Sequence, residues 1–576
     1  MKVYLSLGSN LGDRLSNLER ALELLAAGGC RIVKRSPVYE TAPLYYLKQP
    51  AFFNMAAACE TPLTPADLLA LIGRVERELR RRRLFRNGPR TIDIDILFYG
   101  GARLKLPGLE IPHPRLAGRE FVLAPLAAIA PSLRHPVTGL TVRAMLAALK
   151  AEGGVRRLPS SYAELEDWLR RLPPPSVAGH YNLKPIRAAL SRLGCPEKSM
   201  GVVVHIAGST AKTSAACMTA AALAANGWRT GLYTSPHIRS LRERAKVDGR
   251  EISERDMLDR FLRVEAVAAG ELSFFETITA AAFLYFSDKK TRFAVIEAGL
   301  GGRLDATNAV PGGVAGITSV SLEHADLLGP GLADIAAHKA GIIKPGVAVL
   351  VGNGVPEEAF RVIARAASSA GVPIHRPPPV DFPSLSRAGA FQVPNAAFAM
   401  RAAALAAARA GRKFRPGPAA AALRRAIPPG RFQRLSVAGR KVVVDGAHNA
   451  EGVAALVREF AGRPADVCVA AFMSDKSGGT LAAALSSAAR RLILTRSFSY
   501  RSAPPLEIRG QMPPALRGGT LVMDSPMKAL ARAVKLAPEG GTVLVAGSLY
   551  LAGDVLAGLR GHRAFHPREM PVKADA

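Results

Sequence analysis

The chain has 576 residues, 49% of them hydrophobic, and a formal net charge of +31 from 77 Lys and Arg against 46 Asp and Glu. That length exceeds one hydrophobic core, so roughly two to four domains are expected. No uninterrupted apolar run reaches the roughly 18 residues a membrane-spanning helix needs, and the basic residues are spread along the chain without interleaved aromatics, which argues against nucleic acid and for anionic small substrates. The N-terminus reads as a strand, not as a charged-then-apolar leader. Cys30, Cys59, Cys195, Cys217 and Cys468 form no C-x-x-C pair, which suits reduced thiols in a cytoplasm better than a disulfide frame or a zinc site.

The opening VYLSLGSNLGDRLSNLERAL predicts a strand, a Gly-Ser-Asn turn and a helix with Leu15, Leu18, Leu22 and Leu25 at helical spacing. SPVYETAPL and QPAFFNMA follow, then GPRTIDIDILFY. In this last segment Ile92, Ile94 and Ile96 alternate with Thr91, Asp93 and Asp95. Side chains two apart share one face of a strand, so Asp93 and Asp95 project together. Two adjacent carboxylates repel unless a cation sits between them. Magnesium suits, because it takes one or two carboxylates plus phosphate oxygens. Arg90 stands just before the strand, and Arg80 to Arg83 lie upstream. Metal plus arginines is the equipment of phosphoryl transfer. Taken alone, a D-x-D strand is equally the charged outer face of a sheet edge.

With the downstream IPHPRLAGREFVLAPLAAIAP, these segments resemble the 6-hydroxymethyl-7,8-dihydropterin pyrophosphokinase family over about Met1 to Leu149. The resemblance implies that Asp93 and Asp95 bind magnesium bridging ATP. It implies that Arg81, Arg83 and Arg90 are the arginines of the mobile loop and of the segment before the acidic strand, with Arg83 toward ATP, and that His113 and Arg119 lie on the nucleotide side. Thr41, Pro43, Leu44, Phe52, Asn54 and Phe121 would line the pterin slot, a mix of apolar faces and hydrogen-bonding groups suited to a flat heterocycle. Arg80, Asn87, Tyr45 and Tyr46 depart from the family pattern in loops that close over substrate.

Gly153, Gly154 and Pro159 mark a basic linker, 150–161. Beyond it, the apolar strand GVVVHIAG leads into GSTAKTS and an alanine-rich helix, a strand–turn–helix order that suits phosphate. Gly208, Thr210, Lys212, Thr213 and Ser214 are the candidate phosphate and nucleotide residues. Ala211 stands where a strict P-loop has glycine. Glu297 and His324 each follow an apolar run, so each is expected at a strand end, where open α/β sheets put ligands.

The motifs TSPHIRS, FFETITAAAF, VIEAGLGGRLDATNAV, SLEHADLLG, IAAHKAGIIKPG, FQVPNAAFAM, PGRFQRL, VVVDGAHNAEG and VLVAGSLYLAG make about Tyr162 to Leu559 resemble the folylpolyglutamate synthase / dihydrofolate synthase family, relatives of the Mur ligases. That resemblance implies ATP-driven amide formation through an acyl phosphate. Ser235, Glu297 and His324 would bind magnesium, and Lys339 would be carbamylated beside a second metal. Asn395, Arg431, Asp445 and His448 would hold the nucleotide, while the role of Glu276 is left open. His324 and Lys339 taken singly are a structural histidine and a solvated helix residue; their ordered company favours the functional reading.

The expected architecture is an α+β, ferredoxin-like domain at 1–149, a linker at 150–161, an α/β P-loop domain at 162–415, a smaller α/β domain at 428–561 and a polar tail at 562–576. The expected function is bifunctional folate synthesis with Mg2+ and ATP, in the cytoplasm, needing a separate dihydropteroate synthase and neither nucleic acid nor membrane. The alternative is an active pyrophosphokinase whose ligase half is degenerate.

Overall fold

The computed structural model describes residues 1–564 apart from 44–45, 47–48, 82–84, 86–87, 150–153, 173–181, 269, 380–381, 383–384, 386–388, 475–476 and 563. The described chain divides into two compact units. The first holds Met1–Leu172, Pro185–Cys195 and Glu254–Ala281, and the second holds the remainder.

The first unit is built on an antiparallel sheet of β1 (Lys2–Ser9), β2 (Arg31–Arg35), β3 (Tyr39–Thr41), β4 (Phe52–Glu60), β5 (Asp93–Tyr99) and a further short strand at Val155–Arg157, separate from a small hairpin of β6 (Leu104–Leu106) and β7 (Leu109–Ile111). The main order is β5-β1-β4-β3, with β2 also on β4. Helices cover both faces. Val3, Leu5 and Leu7 of β1 join Leu15, Leu18, Leu22 and Leu25 on one side, while Tyr4 joins Val122, Leu123 and Leu126 on the other. The period of two along β1 is therefore buried in both phases. The helix Arg14–Ala27 starts where Asp13 accepts from the Ser16 amide at 3.1 Å, and the four leucines expected on its core face are all buried.

The stretch expected as a linker carries β8, Val155–Arg157, which pairs with β3 as the sheet's outer strand. Three residues, two of them arginine, are too few and too polar to announce a strand in sequence. The next helix, Tyr162–Arg171, is capped by Ser161 and buries Leu165 and Leu169 in this unit. A helix from far along the chain, Glu254–Ala268, also lies here; its Ala266 belongs to the same core and its Phe261 meets Trp168 edge-on.

The second unit holds two sheets. In the larger, β9 (Val202–Ala207), β10 (Thr230–Tyr233), β13 (Phe293–Glu297), β14 (Val314–Ile317), β15 (Ala348–Val351) and β16 (Ile374–His375) are parallel, and β11 (Ala245–Val247) and β12 (Arg250–Glu251) add an antiparallel edge. The order is β12-β11-β10-β13-β9-β14-β15-β16. The central strands are mostly apolar on both faces because helices cover both, with His205 in β9 and Glu297 at the end of β13 as the charged-type exceptions. The alanine-rich helix Gln392–Arg409 packs on one of them; its small side chains Ala396, Ala399, Ala402, Ala403 and Ala406 are all fully buried.

The smaller sheet runs β17-β18-β22-β19-β20-β21, from Gln433–Val437, Arg440–Val444, Thr542–Ala546, Val467–Ala470, Leu492–Leu494 and Thr520–Val522, and is parallel except for β17. No helix among the described residues is long and apolar enough to cross a membrane.

Candidate active sites

In the first unit, β5 brings Asp93 and Asp95 opposite Gly8 and Ser6 of β1. Arg81 Nη2 lies 2.5 Å from Asp93 Oδ1, and Arg90 Nη2 lies 3.1 Å from Asp93 Oδ2. Arg81 also pairs with Glu76. His113 Nε2 stands 3.9 Å from Asp95 Oδ2. Burial raises the Asp95 carboxyl, and the neighbouring Asp93 charge adds to that; His113, Arg119 and Arg81 work against it. Burial likewise lowers the His113 imidazole, against the pull of Asp95.

Such a pair gains most from a cation that neutralises both carboxylates. Among the described residues no three His, Cys, Asp or Glu side chains gather as a metal cluster. Two carboxylates on one strand face are the donor type a hard divalent ion uses when phosphate and water supply its remaining oxygens.

The slot residues gather beside this pair. Asn54 Nδ2 donates to Thr41 Oγ1 at 2.7 Å, both buried. The Arg90 guanidinium lies 5.1 Å from the centre of the Phe52 ring, and Arg119 lies 5.4 Å from that of Phe121. Pro43 is half-buried next to Thr41, while Leu44 and Arg83 lie outside the described residues.

Two contributors escaped the sequence reading. Asn10 accepts from the Arg90 amide at 2.7 Å through Oδ1 and donates to Gln49 and the Pro50 carbonyl through Nδ2, so the Gly-Ser-Asn turn holds the arginine segment in place. Gly8 leaves room for Asn54, because a Cβ there would stand 2.9 Å from Asn54 Oδ1.

In the second unit the candidate residues leave the carboxyl ends of four neighbouring strands, β10, β13, β9 and β14. Ser235 follows β10, Glu297 ends β13, the loop from Gly208 follows β9, and His324 follows β14. Glu297 is fully buried; its Oε1 accepts from Thr213 Oγ1 at 2.7 Å and its Oε2 from the Ser235 amide at 3.0 Å. Burial raises its carboxyl, opposed first by Lys212 and also by Arg431. Ser214 is buried in the first turn of the helix Lys212–Ala224. Lys212 Nζ donates to the Gly208 and Ser209 carbonyls at 2.6 and 3.3 Å, and the Thr210 amide donates to Ser319 Oγ at 2.8 Å.

Ala211, at the N-cap of that helix, has φ +66° and ψ −6°. The departure from glycine thus falls on a left-handed residue.

Lys339 is 1% exposed, and its Nζ lies 3.0 Å from Glu323 Oε1. Burial lowers the ammonium to about 8, against the Glu323 charge. Burial acts to raise Glu323 itself, but Lys212 and Lys339 outweigh it and leave the carboxyl below its usual range. Glu323 was missed in the sequence, although it stands beside the His324 that was singled out. His324 is half-buried with φ +48° at the start of a short helical turn.

Asp445 follows β18 and accepts from the Phe432 and Ala447 amides, both at 2.7 Å. Burial raises its carboxyl and Arg431 opposes that, so Arg431 acts on both Asp445 and Glu297. His448 Nδ1 lies 2.8 Å from the Gly446 carbonyl. Asn395 donates to Gln392 at 3.0 Å, and no hydrogen bond among the described residues joins it to the others. Glu276 accepts from the Ser273 amide and hydroxyl at 3.0 and 2.7 Å, so it caps the helix Phe274–Asp288.

The fold presents two candidate centres, one on an antiparallel sheet with arginines and one at a helix N-terminus on a parallel sheet. The family model described as 7,8-dihydro-6-hydroxymethylpterin-pyrophosphokinase matches residues 4–131, and that of the Mur ligase, glutamate ligase domain matches residues 430–549. The chain therefore carries an N-terminal pyrophosphokinase domain of that family and a C-terminal Mur ligase glutamate ligase domain.

It is 43% identical over 157 residues to the folic acid synthesis protein FOL1 of Dictyostelium discoideum, a match covering 27% of this chain and 24% of the relative. It is 35% identical over 411 residues to a probable bifunctional folylpolyglutamate synthase/dihydropteroate synthase of Haloferax volcanii, covering 64% of this chain and 47% of the relative. The chain thus spans about a quarter and about half of these two relatives. The solved bifunctional folylpolyglutamate synthase/dihydrofolate synthase of Yersinia pestis with Mn, AMPPNP and L-glutamate bound superposes with a TM-score of 0.59 at 26% identity, covering 70% of this chain and 98% of that one.

Proposed function

We propose that the chain is a bifunctional enzyme of folate biosynthesis. Its first unit transfers pyrophosphate from ATP to 6-hydroxymethyl-7,8-dihydropterin and releases AMP. Its second ligates L-glutamate to dihydropteroate, folate or both, with ATP giving ADP and phosphate. The observation that carries the reading is that each unit assembles its own set of carboxylates and cations beside a slot or loop fit for phosphate: Asp93, Asp95, Arg81 and Arg90 in one, Lys212, Thr213, Glu297 and Arg431 in the other.

In the first centre, Asp93 and Asp95 would hold magnesium, which supplies charge neutralisation for the phosphates. Arg81 and Arg90 reach Asp93 and can turn to phosphate oxygens. Phe52, Phe121, Thr41, Pro43 and Asn54 hold the pterin face and edge. His113, Arg119 and Arg83 are assigned to the nucleotide side.

In the second centre, the Gly208–Ser214 loop and Lys212 cradle phosphate. Ser235, Glu297 and His324 are proposed metal ligands. Lys339, with its amine lowered to about 8, keeps a neutral fraction near neutral pH that can take up CO2 as a carbamate. Asn395, Arg431, Asp445 and His448 are assigned to the nucleotide.

The joining of pterin to p-aminobenzoate is assigned to a separate dihydropteroate synthase. The reducing environment that five free cysteines suit agrees with a cytoplasmic location.

The purified chain settles the matter in two assays. AMP should form from ATP only with hydroxymethyldihydropterin and Mg2+, and labelled glutamate should join dihydropteroate with ADP release. Failure of the second assay with success of the first would leave a pyrophosphokinase bearing a silent ligase half.

A further inference from the structure

Behind the slot residues of the first unit lies a closed ring of four charges. Arg14 Nη2 donates to Glu40 Oε1 at 3.0 Å. Glu40 pairs through its other oxygen with Arg156. Arg156 Nη2 donates to Glu265 Oε1 at 2.7 Å. The backbone carbonyl of Glu265 accepts from Arg14 Nη2 at 3.1 Å and closes the ring. The Arg14 and Glu265 side chains are 3% and 2% exposed, and that of Glu40 is 9%.

Arg14 also donates through Nε to the Ala266 carbonyl at 2.5 Å and through Nη1 to the Ala51 carbonyl at 2.6 Å. Its guanidinium lies 3.8 Å from the centre of the Phe53 ring. Glu265 and Ala266 stand in the last turn of the helix Glu254–Ala268, whose final carbonyls have no partner within the helix. An arginine from the pyrophosphokinase domain therefore caps a helix that the sequence places among the ligase motifs. Arg192 reinforces that end, donating to the Val267 carbonyl at 2.9 Å.

The ring's other attachments are one residue from the slot. Glu40 immediately precedes Thr41 in β3, and Ala51 immediately precedes Phe52, the first residue of β4. Arg156 sits on β8 directly opposite Glu40. Buried charges of this kind hold their geometry only while every member is present, since removing one leaves its partners desolvated and unpaired. A shift of β3 against β4 here would move Thr41 away from Asn54 and re-aim Phe52.

We propose that Glu265, more than two hundred residues distant in sequence and borne by the helix Glu254–Ala268, is a positioning residue for the pterin slot of the pyrophosphokinase, acting through Arg14, Glu40 and Arg156. This rests on the pyrophosphokinase reading above. It implies that the slot is completed by a part of the chain outside the 4–131 segment matched to that family.

The test uses the full chain and compares wild type with Glu265→Gln, Arg156→Gln and Arg192→Gln, reading AMP formation against pterin and ATP concentrations. Glu265→Gln is expected to raise the KM for hydroxymethyldihydropterin about tenfold, with kcat and the KM for ATP within about twofold, because a small displacement of positioning groups weakens the hold on substrate. Arg156→Gln should do the same. Arg192→Gln touches the same helix end but not the ring, and should leave the pterin KM unchanged.

An unchanged pterin KM in Glu265→Gln and Arg156→Gln overturns the inference while leaving the functional reading intact. An equal rise in Arg192→Gln also overturns it, since general loosening of the helix would then explain the effect. A wild type without AMP formation overturns the functional reading and this inference with it. If Glu265→Gln does not fold, Arg156→Gln, whose side chain is 41% exposed, decides by the same measure.

Discussion

The two candidate centres of this chain are built from different materials. The first uses side chains: two aspartates on one face of a strand and arginines that pair with them. The second uses backbone: a loop after β9, a helix N-terminus and the single Lys212, with Glu297 held by a hydroxyl and an amide. A site made of side-chain charges depends on each charge, whereas a site made of amides tolerates a change of side chain and depends on backbone conformation. In the second motif the sensitive position is accordingly a backbone one, Ala211 at φ +66°.

The sharpest way to break this contrast is at Asp95. Asp95→Ala should lower AMP formation by about a thousandfold or more, because carboxylate-held metal supplies most of the charge neutralisation in phosphoryl transfer. Glutamate ligation should stay at the wild-type rate. Loss of both activities from folded protein would mean the centres are not independent.

The converse variant is Lys339→Ala. Ligation should fall by about a hundredfold, with AMP formation untouched, because the change removes a buried charge and leaves Glu323 without its ion-pair partner. Added short-chain carboxylates should restore part of the rate if a carbamate is what the lysine supplies; ligation unchanged from wild type would remove Lys339 from the site.

A smaller effect separates the two units by pH. His205, on β9 of the parallel sheet, is buried and its imidazole is pushed down to about 3 by burial, with Lys344 adding to the effect. Its Nε2 lies 2.9 Å from Thr307 Oγ1. The unfolded chain takes up a proton near the ordinary histidine value of about 6.5 while the native ring does not, so stability is intact above that pH and is lost as pH falls toward 3. Between pH 6.5 and 5 this amounts to about 2 kcal/mol. A His205→Gln variant should show a flatter fall of melting temperature over that range than wild type; parallel curves would exclude His205 as the source.

The smallest effect belongs to Ala211. At φ +66° an alanine is strained by about 1 kcal/mol relative to glycine. Ala211→Gly should therefore hold or improve the apparent ATP affinity in ligation by up to about fivefold and leave AMP formation alone. A large drop in ligation would show that this loop needs its alanine.

Much of the first centre was legible in the sequence because it lies on local periodicity. Alternation along Thr91 to Ile96 puts Asp93 and Asp95 on one face whatever surrounds them, and Leu15, Leu18, Leu22 and Leu25 fix the inner side of their helix. The strand-end position of Glu297 followed from its apolar run in the same way. Glu323 was harder: nothing in its neighbourhood distinguishes it from a solvated glutamate until the helix bearing Lys339 packs beside it. Glu276 shows the reverse, a residue of a conspicuous motif whose contacts are those of a helix cap.

By itself the sequence determined most of the elements around the two candidate centres and the residues proposed for each, because strand period, helix period and turn chemistry act over a few neighbours. It placed 150–161 as a linker and left Arg14, Glu40, Arg156 and Glu265 as unremarkable charges. Only tertiary structure decided that Val155–Arg157 is a strand beside β3 and that these four charges meet in one ring. The reason is physical: an ion pair is a property of two positions brought together by packing, and partners far apart in sequence leave no periodic trace in either local segment.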